Sequence, residues 1–284
     1  MALCPLTASW TQVLPPNPAG ISFGQWNTIV RDVRSAKKFW MAMGGEPIQI
    51  DGINVMKFPG VLVFLTPGTP THASEGTMMN HLGFYVPNVE ETAAKWKAAG
   101  VRVDYVPGKT SGAEKKTVTG EDVAWVYSPD DLKLELHGYR YIAPDLKLAY
   151  AGEKPLTLPI VGTHNHIEVL ESSQKEMQSW YMQTFGGDGG VPAILSLRVG
   201  GIPGMSMSIG KTKTPPLPIK GTVLDHIGFE VKNLEAFCKK LEADGMKLEV
   251  PYREMPQLGG LKLAFLVDPE GTRIELTEGL GAAR

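Results

Sequence analysis

The chain has 284 residues, with 28 Lys and Arg against 30 Asp and Glu and a pI near 6.3. That balance attracts neither nucleic acid nor an anionic bilayer, and 43% hydrophobic with 20% charged residues is the mix of a folded globular chain. No apolar run reaches the ~18 residues of a membrane span, and at roughly 100–200 residues per domain two domains are expected.

Cysteines occur only at Cys4 and Cys238, which excludes a disulfide framework and a sulfur-rich zinc site within the chain. This usage fits a reducing compartment, so a cytoplasmic location is expected. Residues 1–19 have no basic leading segment, and Pro5 breaks their apolar stretch. They read as a loose arm rather than an intact secretory signal, the remainder of a trimmed signal being the alternative.

From Gln25 a strand leads into a helical pattern ending near Trp40, and 61–65 reads as a further strand. A strand at His81 is followed by Asn88, a good helix N-cap, and by a helix that stops at Gly100. Ser128-Pro-Asp-Asp131 is a turn before a strand holding Glu135 and His137. The segment 109–116 carries three lysines in a Gly/Ser context and reads as a solvated loop. Pro144, Gly152 and Pro155 mark 141–158 as a linker. The order then repeats. A strand at His166 leads into a helix, 205–209 is a strand, and 225–231 alternates as a half-buried strand should. Asn233 caps a helix with Leu234, Phe237 and Leu241 in one stripe, and Gly245 stops it. Strands at 247–250, 261–267 and 272–277 complete the chain, the last pair joined by the turn Asp268-Pro-Glu-Gly271.

The repeat is visible in the residues. HLGFYVPNVEETAAKWKAAG from His81 and HIGFEVKNLEAFCKKLEADG from His226 align without a gap, identical at nine positions. Pro129 precedes Glu135 as Pro269 precedes Glu275, and QWNTIVRDVRSAKKFW parallels HIEVLESSQKEMQSWY. The expected fold is therefore α+β: two tandem modules, 20–140 and 159–279, each of two paired βαβββ units forming a curved mixed sheet around a cleft, with a short tail at 280–284. Strand alternation puts His164, His166 and Glu168 on one face, and likewise His226, Gly228 and Glu230, and Arg273, Glu275 and Thr277. Opposite them, Ile227, Phe229 and Ile274 face the helices.

The His-x-Gly-Phe strand entering a helix, the Asp-Pro-x-Gly turn and the Ile-Glu-Leu strand after it resemble the vicinal oxygen chelate superfamily, which includes glyoxalase I, extradiol dioxygenases and bleomycin-resistance proteins. The resemblance implies metal ligands on the first, fifth and eighth strands of a module. Carried over, these are His166, His226 and Glu275, with a second, weaker set at Gln25, His81 and Glu135. His164, two residues from His166 on the same face, is the alternative ligand. Two imidazoles and a carboxylate suit a divalent transition metal: iron, manganese, nickel, cobalt or zinc.

Extradiol dioxygenases carry further histidines and a tyrosine near the metal. No histidine lies between His166 and His226 or after His226, and Phe265 stands where that signature has Tyr. The strands at 61–65 and 205–209 lack the additional acid of glyoxalase I. Glu168 and Glu230 remain as candidate acid–base groups. The expectation is an enzyme that grips a small substrate through vicinal oxygens and moves a proton, as isomerases and lyases do. The alternatives are a ring-cleaving dioxygenase and a metal-free small-molecule binder. Small-molecule substrate, no nucleic acid or membrane partner, and a monomer or homodimer complete these expectations.

Overall fold

The computed structural model describes residues 13–108, 121–139, 159–190 and 196–280. The first twelve residues, the lysine-bearing loop 109–116, the linker 141–158 and residues 281–284 lie outside the described residues. The end of the expected arm is not loose. Leu14 is buried, and the Asn17 side chain donates to Phe185 O at 2.9 Å while accepting from Ile21 N at 3.1 Å.

Four units follow one another. The first is β1 (Ile21–Val30), α1 (Val33–Ala42), β2 (Glu46–Ile50), β3 (Ile53–Phe58) and β4 (Val61–Pro67). The second is β5 (Met79–Val86), α2 (Val89–Ala98), β6 (Arg102–Val106), β7 (Val123–Tyr127) and β8 (Lys133–Gly138). The third is β9 (Gly162–Leu170), α3 (Gln174–Phe185), β10 (Leu197–Val199) and β11 (Met205–Thr212), with two strands after its helix among the described residues. The fourth is β12 (Leu224–Val231), α4 (Leu234–Ala243), β13 (Leu248–Met255), β14 (Leu261–Val267) and β15 (Arg273–Glu278). No helix among the described residues is long and apolar enough to cross a membrane.

The repeat is reproduced in local chemistry. Asn88 Oδ1 accepts from Glu91 N at 3.1 Å, and Asn233 Oδ1 from Ala236 N at 3.3 Å, each cap satisfying an otherwise orphaned helix donor. Gly100 and Gly245 both take φ of +86°, the left-handed conformation that ends a helix at little steric cost for glycine. α4 buries Leu234, Cys238 and Leu241.

The architecture is α+β, with two mixed sheets of eight and seven strands. How the units pair differs from chain order. The eight-stranded sheet runs β13-β14-β15-β12-β1-β4-β3-β2 and joins the fourth unit to the first. The seven-stranded sheet runs β10-β11-β9-β5-β8-β7-β6 and joins the third to the second. Each junction is antiparallel, β1 on β12 and β5 on β9. The two junctions share one register: Gln25 lies opposite Gly228 and Asn27 opposite His226, just as His164 lies opposite Gly83 and His166 opposite His81.

The helix-side faces of both sheets merge into one core. The Trp26 ring of β1 lies 5.3 Å from Phe84 of β5, and Phe185 of α3 stacks on Phe229 of β12 at 4.2 Å. Between the two junctions, Trp26 Nε1 donates to Asn165 Oδ1 at 2.8 Å, with both residues fully buried. Removing that acceptor strands an indole N–H in a dry core. Asn165→Ala should therefore lose ~1–3 kcal/mol of stability, measured by urea denaturation of the full chain.

Candidate metal centre

The residues of β5, β8 and β9 on the face opposite the helices converge. β5 runs parallel to β8 with Gly83 beside Glu135 and Tyr85 beside His137. β9 crosses the other side of β5, so His81, Glu135, His137, His164 and His166 gather over Gly83. A Cβ at Gly83 would sit 2.2 Å from Glu135 O and 3.2 Å from His164 Cβ, so only glycine lets these strands carry their side chains so close. Glu135 Oε2 lies 2.9 Å from His81 Nε2, 2.9 Å from His137 Nε2 and 3.5 Å from His164 Nε2. His81, His164 and His166 bring ring nitrogens within 4.8 Å of one another, and so do Glu135, His137 and His164 with their ligand atoms. The His81 ring stacks on His166 at 4.3 Å and meets the edge of Trp125 at 5.1 Å.

Depth divides the cluster. His81, Glu135 and His164 are buried, whereas the side chains of His137, His166 and Glu168 retain 25%, 18% and 26% of their exposure and form the rim. At the rim His166 Nε2 lies 3.0 Å from Glu168 Oε1. Gly210 of β11 makes room for this pair, since a Cβ there would come within 2.6 Å of His166 Nε2.

Burial pushes the His81 imidazole down to about 4, with the neighbouring His166 adding to the effect. Burial likewise holds His164 well below the ordinary imidazole value. Burial alone would raise Glu135, but His137 and His81 beside it hold its carboxyl well below the usual range. At neutral pH the floor thus offers two uncharged imidazoles and a carboxylate, the protonation states that ligation requires. Among the described residues, His164 Nε2 is buried with no hydrogen-bond partner. An orphaned imidazole nitrogen aimed at a carboxylate and a second imidazole is what a metal site looks like from the protein side, so these residues fit a divalent transition metal.

The set His166, His226 and Glu275 does not come together. His226 and Glu275 lie in the eight-stranded sheet and His166 in the seven-stranded one, because the third unit pairs with the second rather than the fourth. Gln25 is divided from His81 and Glu135 for the same reason, and its Nε2 donates to Glu275. The register also shifts the first-strand choice, since His164, not His166, occupies the place of Gln25. Around Gln25 the chemistry is that of an ion-pair network. His226 Nε2 lies 3.0 Å from Glu275 Oε2 and Nδ1 against Asp225, which Arg273 also engages at 2.9 Å. Burial opposes charge on His226, but its bonds to Asp225 and Glu275 outweigh that and raise its pKa. His226 thus sits between two carboxylates with a guanidinium alongside, an ion-pair network in which both of its ring nitrogens already have partners.

The two candidate acid–base residues part company. Glu168 stands on the rim of the histidine cluster, its carboxyl held low first by the bond to His166. Glu230 belongs to the eight-stranded sheet, where its oxygens accept from Gly279 N at 2.7 Å and Thr277 Oγ1 at 2.9 Å. Burial raises its pKa, and it closes the C-terminal turn instead of facing the cluster. His72 is exposed, and Met205 and Met207 are core residues. Sequence reasoning missed Trp125 and Tyr85; the alternation His81, Gly83, Tyr85 along β5 was the signal for the second.

His81 yields a test of this electrostatics. Its pKa falls from 6.5 to about 4 in the fold, so between those pH values the unfolded chain binds the extra proton. Stability of the metal-free protein should be full above that window and fall as pH drops through it. His81→Gln should flatten the slope, read by denaturation at a series of pH values.

No protein-family model matches the sequence, and no curated protein matches it. Solved structures do. Glyoxalase I from Zea mays superposes with a TM-score of 0.64 at 14% identity, covering 92% of this chain and 94% of that one. A variant of the same maize enzyme gives 0.67 at 13% identity, over 93% and 95%. A candidate dioxygenase from Bacillus subtilis gives 0.65 at 13% identity, over 90% and 84%. Together with the four repeated units and the two paired sheets, these likenesses show that the chain has the fold of glyoxalase I.

Proposed function

We propose that the chain is a metal-dependent enzyme that binds a small substrate through two adjacent oxygens and transfers a proton within it. The observation that carries this reading is the convergence of His81 Nε2, the partnerless His164 Nε2 and Glu135 Oε2 on the floor of the cluster. These three would hold the ion, two neutral imidazoles and one carboxylate leaving further positions open. The chemistry supplied by a divalent transition metal held there is Lewis-acid polarisation of the substrate oxygens.

The proton chemistry belongs to the rim. Glu168 is ionised, partly exposed and hydrogen-bonded to His166, so it has both the charge and the access to take a proton from a substrate carbon. His166 holds the carboxylate in place, and its ring is braced by stacking on His81. Returning the proton to the neighbouring carbon completes an isomerisation; expelling a leaving group instead completes an elimination. Trp125 walls one side of His81.

A second reading, oxygen-dependent ring cleavage, is favoured by one observation. The cluster holds the additional imidazoles of His137 and His166 and the buried hydroxyl of Tyr85, groups of the kind extradiol enzymes use for proton handling. The two readings separate on cosubstrate. Protein reconstituted anaerobically with iron, manganese, nickel or zinc should exchange a carbon-bound proton of an α-hydroxy or α-dicarbonyl compound without consuming oxygen. Rapid oxygen uptake with a catechol and iron(II) would install the second reading, and failure to take up any metal would leave a binding protein.

Two substitution results are expected. His81→Ala and Glu135→Gln should abolish stoichiometric metal by elemental analysis, whereas His226→Ala and Glu275→Gln should retain it. Glu168→Gln should keep the metal and lower kcat by roughly 10²–10⁴-fold, the usual worth of a general base.

A further inference from the structure

Behind His164 lies a buried polar chain that the proton transfer does not use. Arg198 of β10 is only 6% exposed. Its Nη2 donates to Tyr85 Oη at 3.1 Å and to Ser206 Oγ at 2.6 Å, and its Nη1 to Ser208 Oγ at 3.3 Å. Ser206 and Ser208 stand beside His164 and His166 in the register of β11 on β9. Tyr85 is itself buried, and its hydroxyl lies 3.0 Å from His164 Nδ1.

The donor inventory orders this chain. A guanidinium only donates, so the Tyr85 oxygen accepts from Arg198; with the phenol's own proton turned to Ser206, which is also hydrogen-bonded to it, the oxygen's remaining lone pair faces His164 Nδ1. A neutral imidazole carries one proton, on Nδ1 or on Nε2. With the proton on Nδ1, His164 donates to Tyr85 and leaves Nε2 bare. With the proton on Nε2, the acceptor nearest that buried N–H is Glu135 Oε2, 3.5 Å away and outside hydrogen-bond geometry. The other sheet supplies a comparison. There Gln25 occupies the place of His164, and the place of Tyr85 on the equivalent strand is taken by Glu230, which turns to Gly279 and Thr277. The phenol occurs where there is an imidazole to orient.

We infer that Tyr85, held by Arg198, is a positioning residue that fixes His164 as the Nδ1-protonated tautomer and keeps its Nε2 lone pair aimed at Glu135 and His81. This rests on the reading of His81, His164 and Glu135 as the ligand set. Partners of this kind orient metal-binding histidines and are worth roughly 10- to 100-fold in metal affinity.

The test uses the full chain without metal. Nitrogen-15 NMR at neutral pH, with the His164 signals assigned by their loss in His164→Gln, should show a protonated Nδ1 and an unprotonated Nε2. Tyr85→Phe should redistribute the tautomer and weaken Co(II) binding by roughly 10- to 100-fold in a titration followed by visible absorption. Circular dichroism reports whether that variant keeps its fold; if it does not, the wild-type tautomer decides. A protonated Nε2 in the wild type overturns the inference, as does a folded Tyr85→Phe with unchanged tautomer and Co(II) affinity. A wild type that takes up no Co(II) while its Nδ1 proton depends on Tyr85 supports the positioning role and removes the metal reading.

Discussion

The first strand of a βαβββ unit has a paired side and an open side, and an open side is a row of unmet backbone donors and acceptors. Everything distinctive here depends on how the four open edges are closed. β1 takes β12 and β5 takes β9, each antiparallel and in the same register. Because side chains alternate along a strand, that register decides which residues meet above each sheet. It brings His81, His164 and Glu135 together and places Gln25 against Glu275. A different choice of partners would leave every unit intact and make a different site.

The two sheets then show what one scaffold does with different charge. Position by position they correspond: His81 and His226 each meet a glutamate, and Trp125 and Phe265 each pack T-shaped against the histidine at 5.1 Å. Lys133 lies over Trp125 as Arg273 lies over Phe265. What differs is the residue beside each histidine. Asn80 next to His81 is neutral, whereas Asp225 next to His226 is a carboxylate that raises the pKa of the ring. With His164 on one side and Gln25 on the other, one sheet accumulates imidazole nitrogens, while its counterpart builds a salt-bridge network around Gln25, whose buried Oε1 has no hydrogen-bond partner among the described residues.

Much of this was readable in the residues. The ungapped match from His81 and from His226, the Asn caps and the closing glycines carried the four units and the α+β class, because local hydrogen bonding and strand alternation are short-range and leave a period in the sequence. Glu135, His81 and Glu168 were also readable as outward-facing polar residues. Edge pairing was not. Strands of all four units have the same pattern, and neighbouring units in the chain were the simplest assumption, so His166 was grouped with His226 and Glu275. The correspondence of His166 with Gln25 was misjudged for a related reason: spacing to the helix aromatics does not see that α3 begins ten residues after His164 whereas α1 begins eight after Gln25. Tyr85 and Arg198 were missed because a buried phenol and a buried guanidinium take their meaning from partners far along the chain.

The pairing of first with last also sets the order in which the molecule can assemble. Ile21 is held by Val231 across most of the chain, whereas His81 and His166 meet across less than half that separation. Contacts between distant residues carry the larger loop-closure cost and form late. On a growing chain, the sheet with the imidazole cluster has all its described strands once β11 has emerged, while β1 waits with an open edge until β12 arrives. The half that carries the imidazole cluster is therefore complete before the half that joins the first unit to the fourth, and the exposed flank of β1 is the molecule's most prolonged vulnerability to pairing with the wrong chain.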